Sequence, residues 1–208
     1  MCEFDDKARQ WDSNPVHFQR SEAIARQITS NISLQPEMNA LEFGAGTGIL
    51  SVLLKDQLNH ITLMDNSIEM VKMINKKTGD LYIRNFTPVH FDIEKEEYKS
   101  EPFDIIYSQM VLHHVSDIFL VLTRLTSLLK INGFIALADL YPEDGSFHDG
   151  EFNGHYGINP EEIKSMLQNL NYSDISYEKC FTIEKTYESG VTKQFPIFLI
   201  VARKVAQR

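Results

Sequence analysis

Leu41-Glu42-Phe43-Gly44-Ala45-Gly46-Thr47-Gly48 is the stretch that decides the fold. A short apolar run reads as a buried strand, and glycines at every second position then break it. Ile49 to Leu58 follows with the pattern of a helix. A strand, a glycine turn and a helix in that order let the backbone approach a ligand where a Cβ would clash. The helix beyond supplies unpaired N–H groups at its start.

Working outward, the same alternation repeats. His60–Met64 reads as a second strand ending at Asp65, with a helix from Ser67 to Lys76. Val89–Phe91 is a short third strand ending at Asp92, and Phe103–Tyr107 a fourth. Ser116 or Asp117 caps the next helix, whose apolar face is Ile118, Val121, Leu122, Leu125 and Leu129. Asn132-Gly133 stops it, and Phe134–Ala138 is the fifth strand. Upstream, Phe4, Ala8 and Trp11 share a helical face, Asn14-Pro15 reads as N-cap and first helical residue, and Ile24, Ile28 and Ile32 continue a core stripe.

Past Asp139 the rhythm changes to a long polar loop reaching Asn159. Pro160-Glu161-Glu162 then starts a helix running to Leu170. Ile175–Lys185 and Phe195–Val201, joined through Glu188-Ser189-Gly190, suit an antiparallel pair. The prediction is an α/β, Rossmann-like, doubly wound sheet of seven strands: five parallel, then a closing antiparallel hairpin, with helices on both faces. It divides one domain over residues 1–208 into a helical cap (1–35), a cofactor-binding half (36–140), and a closing part with substrate loop, helix and hairpin (141–208).

Composition narrows the function. The 208 residues are 43% hydrophobic and 24% charged, an ordinary globular balance. With 20 Lys and Arg against 29 Asp and Glu, the net charge is −9, which argues against nucleic acid as a partner. Cys2 and Cys180 have neither disulfide nor metal-ligand spacing, and no apolar stretch has the length of a membrane span. The acidic Met1–Asp6 opening is unlike a signal peptide, so a cytoplasmic protein is expected.

A carboxylate at the end of the second strand, here Asp65, is placed to accept both hydroxyl protons of a ribose. A dinucleotide fingerprint would put its third glycine at position 49, which is Ile49. No Tyr-x-x-x-Lys pair and no phosphate-binding Gly-Lys-Ser/Thr occurs. A nicotinamide oxidoreductase therefore stands as the weaker alternative.

The Leu-Glu-Phe-Gly-Ala-Gly-Thr-Gly run resembles the first motif of the class I S-adenosylmethionine-dependent methyltransferases. Met64–Met70, His90–Ile93 and Phe103–Val115 are similar to that family's second-, third- and fourth-strand segments. The overall likeness is greatest to the group containing the quinone-biosynthesis C-methyltransferases. The resemblance implies S-adenosylmethionine as cofactor and S-adenosylhomocysteine as product. It implies that Gly44, Ala45, Gly46, Thr47 and Gly48 form the loop facing the methionyl part, with Glu42 beneath it reaching the amino group. It places the ribose on Asp65, the adenosine against Asn66 or Ser67 and Met70, the adenine amino group on Asp92, and the ring on Ile93. Backbone of Ser108 and Gln109 would close the methionyl end.

The acceptor should lie beyond the carboxyl ends of the strands. His113 and His148 are the catalytic candidates, since an imidazole titrates near neutrality and can serve as a base. Trp11 is the expected apolar plug, and His155 and Tyr156 the expected substrate contacts. No metal is expected, because the histidine spacing matches no ligand pattern. Asn/Asp-Pro-Pro-Tyr/Phe after the fourth strand and a Pro-Cys nucleophile are both missing, which favours a small-molecule acceptor over a base in DNA. A catalytically silent, cofactor-binding partner subunit is the other alternative.

Overall fold

The computed structural model describes residues 8–148, 150 and 152–206, with the Arg9 side chain left aside. Phe4, Cys2, Asp149 and Glu151 lie outside them. Ala8–Ser13 is a 3-10 helix. Asn14 caps α1 (Pro15–Asn31), its side chain accepting from Val16 N, with Pro15 at the first helical position.

Six further elements carry the nucleotide half: β1 (Asn39–Phe43), α2 (Ile49–Leu54), β2 (His60–Asp65), α3 (Ile68–Asp80), β3 (Phe86–His90) and β4 (Phe103–Gln109). The closing half has α4 (Ile118–Ser127), β5 (Leu129–Leu140), α5 (Pro160–Asn169), β6 (Tyr172–Thr186) and β7 (Thr192–Lys204). All seven strands form one sheet in the order β3-β2-β1-β4-β5-β7-β6. The first five are parallel, and β7 runs antiparallel between β5 and β6.

Strand side chains alternate between two apolar layers. Ala40, Ile61, Leu63, Ile105 and Tyr107 pack with Ile24 and Ile28 of α1, Leu50 and Leu54 of α2 and Ile74 of α3. Leu41, Ile106, Ile135 and Leu137 face the other way, onto Val121, Leu122 and Leu125 of α4 and Ile163 and Leu167 of α5. Both faces of the sheet are therefore covered, and the strand order reverses at β1 and β4, whose carboxyl ends border a crevice.

Several boundaries differ from expectation, each for a local reason. The third strand begins at Phe86, earlier than expected, because Pro88 hides the pattern yet is tolerated on this edge of the sheet. α4 ends at Ser127, and Leu129 is the first residue of β5, paired with Phe103. Asn132-Gly133 therefore lies within the strand, not at a helix stop; Asn132 takes φ 67° where the β4–β5 register shifts. The helix expected to reach Leu58 leaves α-geometry after Leu54 for a 3-10 turn over Lys55–Gln57. α3 extends to Asp80, with Ser67 as its cap. No helix among the described residues is long and apolar enough to cross a membrane.

Candidate active site

A cavity of about 780 Å³ opens above the ends of β1, β2 and β4. Its floor is the glycine loop, and the three glycines there differ in what they do. A Cβ on Gly46 would meet nothing nearer than Trp11 Nε1 at 3.9 Å, so the missing side chain leaves cavity space. At Gly44 a Cβ would strike Val111 Cγ2 at 2.3 Å, a packing requirement that also brings the loop against β4's exit. Gly48 does not line the cavity; it caps α2 in the left-handed region at φ 75°, with Leu63 close behind it. Thr47 is also off the wall, its hydroxyl donating to Asp12 at 2.5 Å.

Asp65 ties the loop to β2. One carboxylate oxygen accepts from Gly46 N at 2.7 Å and the other from Ser67 N at 2.8 Å. A carboxylate has about four lone-pair sites, so this bracing still leaves capacity toward the cavity that Asp65 lines. Asn66, Met70, Asp92 and Ile93 continue the same wall, joined by Phe91 and Glu94, which the sequence pattern did not single out. Asp92 is steadied by Glu94 N at 3.1 Å and by an ion pair with Lys95 at 2.7 Å.

Glu42 is fully buried beneath the loop and accepts from Ser51, whose oxygen lies 2.7 Å from the Tyr107 hydroxyl. Burial pushes its carboxyl up to about 8, outweighing the Ser51 hydrogen bonds. Its Oε1 has no hydrogen-bond partner. Arg20, on α1, lines the cavity, is 5% exposed and feels the charge of Asp139, and its Nε has no hydrogen-bond partner. Burial lowers the guanidinium to about 10, so it stays cationic near neutrality. Such groups are costly to leave unpaired.

The N-terminal segment covers this end of the cavity. Trp11 lines it, stacked on His17 at 4.3 Å between ring centroids. His17 Nδ1 donates to Trp11 O at 2.9 Å, and burial, with Arg20 nearby, lowers its pKa toward the neutral imidazole. Lys77 fastens the segment, donating to Thr47 O at 2.7 Å and pairing with Asp12 at 2.7 Å. Gln109 lines the wall and accepts from Ser21 at 3.0 Å, whereas Ser108 is buried behind it.

Histidines gather at the opposite end. His113 is 1% exposed, and its Nδ1 lies 2.5 Å from an oxygen of the fully buried Asp139. Burial would raise Asp139, but the His113 contact and the N–H groups of Leu140 and His113 outweigh it and hold the carboxylate below its ordinary value. An ionised carboxylate only accepts, so Nδ1 carries the proton and Nε2 faces away from Asp139. His114 and His148 lie beside it, with ring centroids 4.1 and 5.3 Å from that of His113. Phe152 stacks on His148 at 3.5 Å and 6°.

His155 and Tyr156 are not brought into this cavity. His155 N donates to His113 O at 2.7 Å, and its Nε2 lies 3.0 Å from Val115 O, so it braces the loop from behind. Tyr156 is 49% exposed, its ring against Gly145. Arg20, Phe147 and Phe152 line the cavity without having been picked out for it; a polar residue on a helix and aromatics in a loop carry no local sign of where the fold puts them.

A family model described as a methyltransferase domain matches residues 16–186. The chain belongs to the class I S-adenosylmethionine-dependent methyltransferases. A methyltransferase of Schizosaccharomyces pombe is 28% identical over 153 residues, 66% of this chain and 54% of that protein. The chain thus spans about half the length of that relative. Among solved structures, the N-methyltransferase NodS of Bradyrhizobium japonicum, in complex with S-adenosyl-L-homocysteine, has a TM-score of 0.70 at 17% identity, covering 94% of this chain and 90% of NodS. A putative methyltransferase of Haloferax volcanii, in complex with its Trm112 activator, has a TM-score of 0.76 at 14% identity, covering 99% of each chain.

Proposed function

We propose that this cavity holds S-adenosylmethionine along its glycine-loop wall and presents its methyl group to a small organic acceptor at the histidine end. The observation that carries the reading is a single cavity lined together by the glycine loop, with the face of Gly46 left bare, and by Asp65 and Asp92 at the ends of the next two strands. The cofactor brings the activated methyl group; the protein's part is alignment and exclusion of water.

In this reading Arg20 takes the cofactor's carboxylate and Glu42 its ammonium from below. Asp65 takes the ribose hydroxyls while still bracing Gly46. Asp92 accepts from the adenine amino group, and Met70 and Ile93 flank the ring. Gly44, Ala45, Gly46, Thr47 and Gly48 shape the loop, of which Gly44, Ala45 and Gly46 reach the wall. Trp11, pinned through its neighbour Asp12 to Lys77, closes the pocket from above. His113 and His148 are the imidazoles that engage the acceptor's reacting atom. The acceptor is a small molecule, since the cavity is enclosed by Trp11, Phe147 and Phe152 and lies in a strongly acidic chain.

The test is transfer of an isotope-labelled methyl group from S-adenosylmethionine to a panel of hydroxy, amino and activated-carbon metabolites, alongside titration with S-adenosylhomocysteine and NAD. Labelled product together with S-adenosylhomocysteine binding is expected. Binding without transfer to any acceptor would favour the silent-partner reading, and selective NAD binding would overturn both.

A further inference from the structure

The histidine end of the cavity has a composition that methyl transfer alone does not demand. One ligand atom from each of His113, His114 and His148 lies within 4.8 Å of the other two. All three side chains line the cavity. They come from two segments distant in sequence: a 3-10 turn after β4 and the loop after β5. We propose that these three imidazoles bind a divalent transition-metal ion of the zinc type, with its remaining coordination position open toward the cavity for an oxygen of the acceptor or a water.

Three observations support it. First, His113 is already oriented as a ligand. Its Nδ1–H is held at 2.5 Å by the buried carboxylate of Asp139, which leaves Nε2 as the donor nitrogen. A carboxylate behind a ligating histidine fixes its tautomer and raises its basicity, the arrangement common at zinc centres. Second, the donor set is all nitrogen, which selects zinc, cobalt or nickel over magnesium and calcium, whose ligands are oxygens. Third, three protein ligands with a cavity on the remaining side is the pattern of a site that keeps a position for substrate.

The distances allow it with small side-chain movement. Tetrahedral coordination at about 2.1 Å brings nitrogens to roughly 3.4 Å of each other. His114 and His148 are only half-buried, so they can close the remaining gap by rotation while His113 stays fixed. Phe147 and Phe152 pack beside the cluster, the apolar surround that keeps such a site dry. An acceptor hydroxyl bound there would lose its proton to water more readily than in solution, because the ion stabilises the resulting oxygen anion.

This inference rests on the acceptor lying at the histidine end, so the test separates the two. The full chain, stripped with a chelator and dialysed, is titrated with Co²⁺ and then Zn²⁺, and the same samples are titrated with S-adenosylhomocysteine. Expected are one equivalent of Co²⁺ with the intense visible absorption of a four-coordinate ion, its displacement by one equivalent of Zn²⁺, and loss of at least 100-fold in Zn²⁺ affinity in His148→Ala and in His114→Ala. S-adenosylhomocysteine affinity should stay within threefold in both variants, which also shows that they are folded. Wild-type protein that leaves Co²⁺ in its pale hydrated form, or that holds Zn²⁺ no more tightly than the variants, would overturn the metal site. If S-adenosylhomocysteine still binds in that case, the cofactor reading survives; if it fails to bind to wild-type protein, that reading falls separately.

Discussion

The two ends of the cavity are built on different terms. At the glycine-loop end the contacts are close in sequence: Gly46 lies in one strand–turn–helix unit and Asp65 and Ser67 in the next, and backbone N–H groups do most of the holding. At the histidine end the contacts that set His113 join segments far apart in sequence, as in His113 with Asp139, His148 and Phe152. The first end is framed by strand geometry shared by any such sheet; the second depends on how the loop between β5 and α5, residues 141–159, folds back. In the proposed reading, nucleotide recognition is fixed by the scaffold and acceptor choice is left to the loop.

The sharpest way to break this contrast is at Arg20, which lines the cavity from α1, outside both strand–turn–helix units. Arg20→Leu should weaken S-adenosylhomocysteine binding by about 2–3 kcal/mol, the value of a charged hydrogen bond. The same variant should unfold at an equal or higher temperature, because it removes a buried guanidinium whose Nε has no partner in the free protein. Calorimetric titration and thermal melts check both; a variant that loses stability and keeps affinity would make Arg20 structural. Next comes Asp65→Ala, for which a loss of roughly 1–3 kcal/mol in cofactor affinity is expected, measured by the same titration.

Glu42 gives a smaller, pH-dependent effect. Its carboxyl is raised from 4.5 to about 8 by burial. Below about 4.5 both folded and unfolded forms are protonated. As pH rises toward 8 the unfolded chain ionises first and binds fewer protons, so this group's contribution to stability falls across that window. Glu42→Gln should flatten the decline in melting temperature between pH 5 and 8, while costing cofactor affinity; an unchanged profile would show that the buried carboxyl is not the titrating group.

The smallest expected effect is at His155, the residue that braces the loop from behind. His155→Gln should lower stability by about 1 kcal/mol through the lost contact to Val115 O, and leave S-adenosylhomocysteine affinity unchanged. A large change in cofactor affinity would mean that loop position and nucleotide binding are coupled.

How much of this was legible in the chain follows the same division. The succession of strands, the parallel sheet with its closing hairpin, the glycine turn and the acid ending the second strand could be read from periodicity and turn chemistry, because each is set by neighbours in sequence, whereas Asp92 and Ile93 were assigned through the family resemblance. Leu129 was misplaced because an apolar residue before Asn-Gly fits a helix end as well as a bulged strand, and only pairing with Phe103 decides it. Pro88 concealed most of an edge strand for the same kind of reason. Arg20 and Asp139 carry no local mark of burial; the fold sets Arg20 of α1 on the cavity wall and Asp139 of β5 behind His113. His155 and Tyr156 looked like substrate contacts only because they share a loop with His148, which turns inward while they do not.

The central claim is that the bare turn after β1 and the acid ending β2 together hold an adenosine-bearing amino acid. A structure solved from crystals grown with S-adenosylhomocysteine tests it most directly. The account predicts that the sugar hydroxyls lie within hydrogen-bonding distance of the Asp65 carboxylate and that the amino-acid part lies over Gly46 beside Arg20. A ligand seated elsewhere, or with its sugar away from Asp65, would contradict it.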